Sequence, residues 1–402
     1  MTSLALAWRT AQRYRARTVL AIVGVAVIGA LLFDMLLLSR GLLLSFADLL
    51  GSGGYDLRVV SSEGMSARVP IANSARLADE IGRLPDVQRV TMIRIEEAAV
   101  RVPGGPAHGV GTAFIGTTGR GDGAWTILTG ADLGTPAAAE HCPLVLSRAL
   151  AAELGVDPGA AVTLNVDPPG MPSALPPVSC HVVGIADFTF AATNDYTTGT
   201  TLEAFGEALA RRGPADADFV LVASRPDAAP GAVRKAIATL RPDLKVYSND
   251  DVVAQFNKNG FAYFQQISFV LSSLTMVFAF LLVATLLTVS INQRLGEIAA
   301  LRALGIGRQR IASMLLWESV LLVGTGGLLA LPLGGALALG LDRILRHMPG
   351  LPERLHFFVF EPRALVTHVA LLAVTAIAAA AYPVWLTARL PIAATLRREV
   401  VG

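Results

Sequence analysis

Four long apolar segments constrain this chain more than any other feature of its sequence. They cover residues 18–38, 267–291, 311–341 and 364–388. Each is long enough for an α-helix to cross about 30 Å of hydrocarbon, which takes roughly 20 residues. The composition agrees, because 53% of the 402 residues are hydrophobic and 16% are charged, whereas a soluble domain has about 25% charged residues. The sequence therefore predicts a membrane protein with four transmembrane α-helices.

The first apolar segment follows several arginines, as the apolar core of a cleaved signal peptide also does. This core is too long for a signal peptide, and Leu38-Ser39-Arg40 lacks the small residues of a cleavage site. We therefore interpret residues 18–38 as a retained anchor.

The positions of the arginines predict the orientation of the chain, since basic residues flanking a span stay in the cytoplasm. The N-terminus and C-terminus are then cytoplasmic, and residues 40–262 lie outside. The predicted location is the bacterial plasma (inner) membrane, crossed several times, with the large domain in the periplasm or outside the cell. A net charge of +2 gives no reason to expect a nucleic-acid partner. The arginines that precede the first span are Arg9, Arg13, Arg15 and Arg17.

Residues 51–248 have a different pattern from the four apolar segments. Short alternating apolar runs are separated by Gly, Pro, Asp and Asn, and helical patches lie between them. This pattern predicts a large α+β extracytoplasmic domain, inserted between transmembrane helices 1 and 2. A continuous helix from about Asp250 to Ile291 would be roughly 60 Å long. Since the bilayer takes up about half of that length, the rest is expected to stand outside as a stalk.

The loop after the second segment predicts an amphipathic helix. Its apolar residues recur on one side, and Gly305 provides a stop. Such a helix either docks into a groove of a partner protein or lies in the membrane interface, and the pattern leaves both alternatives open. The recurring apolar residues are Leu295, Ile298, Leu301 and Leu304.

Two further features of the apolar segments concern helix packing and buried charge. A small residue stands at every fourth position of the third segment, at Gly326, Ala330, Gly334 and Ala338. Such a seam lets two helices approach closely in lipid. Asp34 and Glu318 lie within apolar segments, where a charge is costly and is expected to face protein or the headgroups.

The two cysteines, Cys142 and Cys180, each neighbour a histidine, His141 and His181. A zinc site is one interpretation, although neighbouring residues of a strand point to opposite faces, which disfavours convergence of all four. A disulfide is the second, because the predicted compartment is oxidising and each cysteine precedes a short apolar strand. Two free buried cysteines are the third.

Sequence motifs of catalysis are absent. The chain contains no G-x-x-x-x-G-K-[ST] phosphate loop, no H-E-x-x-H and no G-x-S-x-G. We therefore expect a chain that has no enzyme activity, no catalytic residues, no metal and no cofactor of its own.

Several stretches resemble MacB/FtsX-type ABC transporter permeases, in the branch of lipoprotein-releasing and efflux permeases. One is RLGEIAALRALGIGRQR at 294–310, which is followed by Trp317-Glu318-Ser319, and another is YPVWLTARLPIAATLRRE at 382–399. In the inserted domain, PLVLSRALAAELGVDPGAAVTLNV and HVVGI are similar to the periplasmic core of that family.

This resemblance implies a domain plan. Residues 292–310 become the cytoplasmic coupling helix that contacts an ABC ATPase. The other parts are 1–50 with the cytoplasmic N-terminus, helix 1 and stalk, 51–248 as the MacB-like domain, 249–291 as stalk and helix 2, and 311–402 as helices 3 and 4 with the cytoplasmic tail. Carried over by position, the contacts to the ATPase are Glu297, Ile298, Leu301 and Arg302.

The resemblance also implies partners. They are an ABC ATPase subunit dimer that binds ATP and Mg, a second permease copy or paralogue, and a periplasmic adaptor or outer-membrane component. Two departures from the family are the charge at Asp34 and the absence of the ATPase domain that is fused to MacB itself, so we expect the ATPase as a separate chain.

Two functions follow from this resemblance. The first is a permease that uses ATP hydrolysis by its partner to move its outer domain, called mechanotransmission, and so exports or extracts an amphiphile such as a lipoprotein, lipid, peptide or drug. The alternative is a transmembrane signalling scaffold that activates a cell-wall hydrolase.

Overall fold

The fold is described from a computed structural model. The chain divides into two compact units. The helical unit comprises Met1–Leu43, Gly260–Leu345 and His356–Gly402, and the α+β unit comprises Leu44–Asn259 and Arg346–Leu355. The residues that the structure describes are 12–13, 15–61, 69–105, 109–118, 121, 123–135, 141–166, 175–192, 194–211, 216–229, 231–258, 262–293, 296, 298, 300, 305–346 and 354–389.

Short helices and strands alternate between one very long helix near the N-terminal end of the chain and three long helices towards the other end. The helices are α1 Arg15–Ser52, α2 Ser74–Gly82, α3 Arg148–Leu154, α4 Leu202–Ala208, α5 Ala232–Leu240, α6 Asn249–Phe256, α7 Ala262–Asn292, α8 Arg308–Arg346 and α9 Pro362–Arg389. The strands are β1 Leu57–Val60, β2 Val87–Arg101, β3 Val110–Thr117, β4 Trp125–Gly130, β5 Pro143–Ser147, β6 Ala161–Val166, β7 Val178–Phe188, β8 Thr197–Thr201, β9 Phe219–Ser224 and β10 Lys245–Ser248.

Helices α1, α7, α8 and α9 are each long and apolar enough to cross a membrane, in agreement with the sequence. Their outward surface is apolar: Phe269 is 74% exposed and Leu339 is 71% exposed. Their inward surface combines small side chains with larger apolar ones: Ala330 and Ala379 are fully buried, and Leu32 and Leu287 are buried in one cluster with Ala379. Large apolar groups outside and small ones at close helix contacts are what a lipid solvent favours, because lipid does not drive apolar side chains together.

The α+β unit contains one mixed sheet. Within the described residues it has ten strands in the order β10-β1-β9-β2-β3-β8-β5-β7-β4, and β6 pairs with β2 and β7. The pairs β3–β8 and β5–β7 are parallel, and the others are antiparallel.

Helices α2, α3, α4 and α5 all contribute to one apolar core on one face of this sheet. Side chains of a strand alternate between the two faces, so Met92, Ala98 and Val100 of β2 reach this core. At its centre the rings of Phe114 and Phe205 stack with their centroids 4.4 Å apart. Both rings are fully buried, and large aromatic side chains contribute strongly to the stability of a core.

The structure describes two parts of the predicted continuous helix from about Asp250 to Ile291, and its continuity stays a prediction. Helix α6 ends at Phe256 and α7 begins at Ala262, and residues 259–261 lie outside the described part.

The start of α6 agrees with the sequence, because Ser248 and Asp251 form a capping box. Helix α1 runs unbroken to Ser52. Its end belongs to the α+β unit, where Phe46 stacks on Phe256 of α6 at 4.2 Å. That unit therefore includes the end of α1 and all of α6.

Candidate functional site in the helical unit

A buried ion pair joins α1 to α8. The Nη2 atom of Arg17 lies 3.1 Å from Oε1 of Glu318, whose side chain is 4% exposed. The hydroxyl of Ser290, near the end of α7, donates to the same oxygen at 3.0 Å. Arg17 also donates to Gln293 at 3.4 Å. One carboxylate thus holds the ends of three helices together, and we call these four residues the polar lock.

The polar lock has an energetic consequence. A buried ion pair is weak evidence for added stability, but removing one partner leaves a charge that is buried and uncompensated. The arrangement of α1, α7 and α8 at this end is therefore sensitive to any movement that separates Arg17 from Glu318.

An apolar cluster lies between the same ends of α7 and α8, formed by Ile291, Ile311 and Leu315. Ile298 of the predicted coupling helix packs against it and is half-buried, whereas Ala300 is exposed. The structure thus connects the predicted ATPase-binding segment to α7 and α8 through Ile298. The other predicted contacts, Glu297, Leu301 and Arg302, lie outside the described residues.

The small-residue seam of α8 lies against α1. A Cβ atom built on Gly326 would be 2.7 Å from Cβ of Val25, and one built on Gly334 would be 3.0 Å from the carbonyl oxygen of Ala30. Real Cβ atoms essentially never approach another atom closer than 3.0 Å, so Gly326 has no room for a side chain and Gly334 almost none.

The two alanines of the seam complete the contact. A Cβ atom on Gly29 of α1 would be 2.9 Å from Cβ of Ala330, so this contact is tight from both sides. Ala338 is buried in a cluster with Phe33 and Leu37 of α1. The structure therefore brings all four predicted seam residues together on one helix face, packed against α1.

Two polar side chains are buried in the middle of these helices. Asp34 and His368 are each 1% exposed. Among the described residues, Oδ1 of Asp34 and both ring nitrogens of His368 have no hydrogen-bond partner. The His368 ring instead meets Phe33 edge-on at 5.2 Å. Burying polar atoms without partners costs free energy, so Asp34 and His368 are expected to destabilise the helical unit.

Cys142 and Cys180 form a disulfide, with their Cα atoms 4.7 Å apart. Parallel pairing of β5 and β7 brings them together, since Pro143 is the register partner of His181. Both sulfurs are in this bond, so neither is available to a metal as a thiolate. The Nε2 atom of His141 lies 3.3 Å from Oε2 of Glu207.

No group of three or more His, Cys, Asp or Glu side chains that could hold a metal is present among the described residues. The candidate site therefore consists of contacts that hold one helix against another: the polar lock, the cluster at Ile298 and the seam of α8.

Sequence reasoning identified Glu318 and the seam of α8 but missed their partners. Arg17 and Glu318 are 301 positions apart. Nothing in the pattern of either segment indicates the other, although an arginine before one span and an acid within another is a signal that could be searched for.

Two family models match the chain. The model of the MacB-like periplasmic core domain matches residues 18–240, more than half of the chain, and that of the FtsX-like permease C-terminal domain matches residues 269–392. No curated protein is similar at a significant level.

Solved structures with a similar fold include two extracytoplasmic domains. The periplasmic region of MacB from Actinobacillus actinomycetemcomitans is 12% identical with a TM-score of 0.41, and the match covers 53% of this chain and 96% of that one. The extracellular domain of the noncanonic ABC-type transporter YknZ from Gram-positive bacteria is 10% identical with a TM-score of 0.34, covering 48% of this chain and 98% of that one.

Proposed function

Because the chain belongs to the MacB/FtsX family of ABC transporter permeases, we propose that it couples ATP hydrolysis by a separate ATPase to movements of its α+β unit. Permeases of this family work with ABC ATPase partners. The proposal adds the direction of coupling: closure of the ATPase pushes on the segment around Ile298, and the push reaches α7 and α8.

One observation carries this proposal. Two members of the polar lock, Ser290 and Gln293, lie close along the chain to the segment that would contact the ATPase. The carboxylate of Glu318 ties α1, α7 and α8 together. Ile298 packs on residues of α7 and α8, so a displacement of this segment is transmitted to both helices. In rigid packed helices such a displacement is passed on and not absorbed, because protein interiors are densely packed.

The proposed orientation in the membrane is based on the arginines that flank the spans, since such residues stay in the cytoplasm. Both termini and residues 292–310 lie in the cytoplasm, the α+β unit lies outside the inner membrane between the first two spans, and the short segments at Leu44–Ser52 and α6 serve as stalks. A second permease copy or paralogue completes the membrane part. A periplasmic adaptor or outer-membrane component receives the substrate, an amphiphile such as a lipoprotein, lipid, peptide or drug.

The test uses the chain with its ATPase in proteoliposomes. Leu301→Asp places a charge in the proposed docking surface and should abolish stimulation of the ATPase, whereas Leu301→Met, which conserves volume, should retain it. ATPase turnover and co-purification are measured for both variants. Normal assembly and turnover in Leu301→Asp would rule out this segment as the coupling helix.

Export separates the proposed function from the signalling scaffold. A transporter moves a labelled amphiphile out of the membrane with each round of ATP hydrolysis. ATP-dependent activation of a cell-wall hydrolase by the reconstituted complex, without any movement of amphiphile, would favour the scaffold instead.

A further inference from the structure

The face of the sheet opposite the helices of the α+β unit forms an apolar groove. Its volume is about 1010 Å³, and its floor includes Ile93, Ile95 and Ile115 of β2 and β3. These side chains point away from the core because their neighbours along each strand point into it. They are half-buried. Ligand pockets have volumes of about 300–1,000 Å³, so this groove is large enough for a small amphiphile.

A cation lies at one end of the groove. Arg58 of β1 stands between Leu57 and Val59, which both face the core, so its side chain extends to the groove side, where it is part of the lining. Its guanidinium carbon lies 5.8 Å from the centre of the Phe190 ring. Its Nε atom is buried and has no hydrogen-bond partner among the described residues.

The surroundings of Arg58 favour an anion. Burial lowers the pKa of Arg58 from its usual range, because the charged form loses water. A cation in such a place costs free energy unless an opposite charge compensates it. Among the described residues, the aromatic ring of Phe190 lies over the guanidinium group of Arg58, and a ring carries no compensating charge.

Two hydroxyl groups lie at the same end. Arg58 pairs with Leu221 in the sheet, and Leu221 pairs with Thr91. The hydroxyls of Thr91 and Tyr55 lie 2.7 Å apart and both residues line the groove. A headgroup placed on Arg58 therefore has further polar groups within the same part of the groove, as ligand sites with a few convergent polar groups do.

One acidic residue of the groove, Glu97, lies at the other end. Glu97 is six positions beyond Thr91 on β2 and pairs with Ala113, about 20 Å away at the rise of a strand. Asp195 is next to Tyr196, whose carbonyl oxygen accepts from Ala113. Glu96 is paired with Arg94. Charges about 20 Å apart are largely screened by salt, so Glu97 leaves the positive end intact.

We propose that the groove binds an amphiphile with one anionic headgroup and an acyl chain, the headgroup on Arg58 and the chain along Ile93, Ile95 and Ile115. One acyl chain covers one leaflet, about half of the roughly 30 Å hydrocarbon core, and so fits within the groove. This inference rests on the proposed function, because it names the class of amphiphile that the transporter would handle.

The experiment uses the full chain in nanodiscs of phosphatidylcholine, without ATPase. The probe is palmitic acid with a photoreactive diazirine in its chain, and cross-linked peptides are identified by mass spectrometry. The acid should label peptides of β2 and β3. Its methyl ester, which has no charge, should label them about tenfold less, the loss expected when a charge-assisted hydrogen bond is not made.

Variants separate the charge from the fold. Arg58→Gln should reduce labelling by the acid to the level of the ester, and Arg58→Lys should restore most of it. An intact Cys142–Cys180 disulfide in each variant shows that the unit has folded. Equal labelling by acid and ester in the unmodified chain overturns the proposal whether or not Arg58→Gln folds, as does labelling confined to α1, α7, α8 and α9.

Failure of this inference is distinguishable from failure of the proposed function. Binding needs no ATPase, so Leu301→Asp should be labelled like the unmodified chain even where it abolishes coupling. Unchanged coupling in Arg58→Gln together with equal labelling by the two probes would reject the groove as the site and leave the coupling proposal standing.

Discussion

The two units of this protein both bury apolar side chains but differ in what they expose and in the residues at their tightest contacts. The α+β unit hides the rings of Phe114 and Phe205 and exposes polar residues, as proteins in water do. The helical unit hides glycine and alanine at its helix contacts, together with charged groups such as Glu318, and exposes large apolar side chains. The comparison shows that the same residue type has a different energetic role in each unit, because one core is driven by water and the other by close packing and polar contacts within lipid.

The largest difference between the units is expected for loss of a phenyl ring. Phe205→Ala should reduce the free energy of unfolding of the α+β unit by about 4 kcal/mol, in the range for a fully buried phenylalanine. Phe278→Ala, at an exposed position of α7, should change stability by less than about 0.5 kcal/mol. Thermal unfolding of both variants in the same detergent measures the contrast. Equal losses would mean that α7 is covered by protein at Phe278.

The second prediction concerns loss of a buried charge in the helical unit, the arginine of the Arg17–Glu318 ion pair. Arg17→Ala should reduce the free energy of unfolding by about 3 kcal/mol. This is the low end for a broken buried ion pair, because the side chain of Arg17 is 18% exposed. The double variant Arg17→Met and Glu318→Leu should recover most of that loss, since no charge then stays buried. A double variant as unstable as Arg17→Ala would show that the lock stabilises the helices beyond compensating for Glu318.

The smallest contrast lies within one helix. Gly334→Leu should separate α8 from α1 and cost about 2 kcal/mol through overpacking, because a Cβ there would be 3.0 Å from the backbone of Ala30. Gly340→Leu is the matched control on the same helix, since a Cβ there meets nothing within 4 Å. Unfolding in bicelles distinguishes the two. If both variants have the stability of the unmodified chain, the seam is not a packing contact.

The sequence predicted the helical unit better than the α+β unit. A span in lipid must be a long apolar helix, so hydropathy alone locates α1, α7, α8 and α9. Strand β8 was missed because its sequence is Thr-Thr-Gly-Thr-Thr, with no apolar alternation. Thr198 and Thr200 are nevertheless fully buried, since their hydroxyls meet Thr112 and the carbonyl oxygen of Pro143.

The candidate site was predicted only in part for a related reason. The seam of α8 is local and periodic, so it is visible in one segment of sequence. The polar lock brings together three segments, and its pairing depends on how the helices pack. The groove depends on which strands are neighbours: β1 and β2 are both paired with β9, which places Arg58 and Thr91 on one surface although they are far apart in the chain.

The seam of α8 also constrains how this chain can vary. Glycine has the smallest side chain, so every missense change at Gly326 or Gly334 adds atoms to a contact with α1 that has almost no space for them. Exposed positions such as Leu328 and Leu339 accept other apolar residues freely. In a saturating mutational scan, tolerance along α8 should therefore rise and fall with the turn of the helix. Its minima would fall at the least hydrophobic residues of the span, which reverses the order that a soluble core would give.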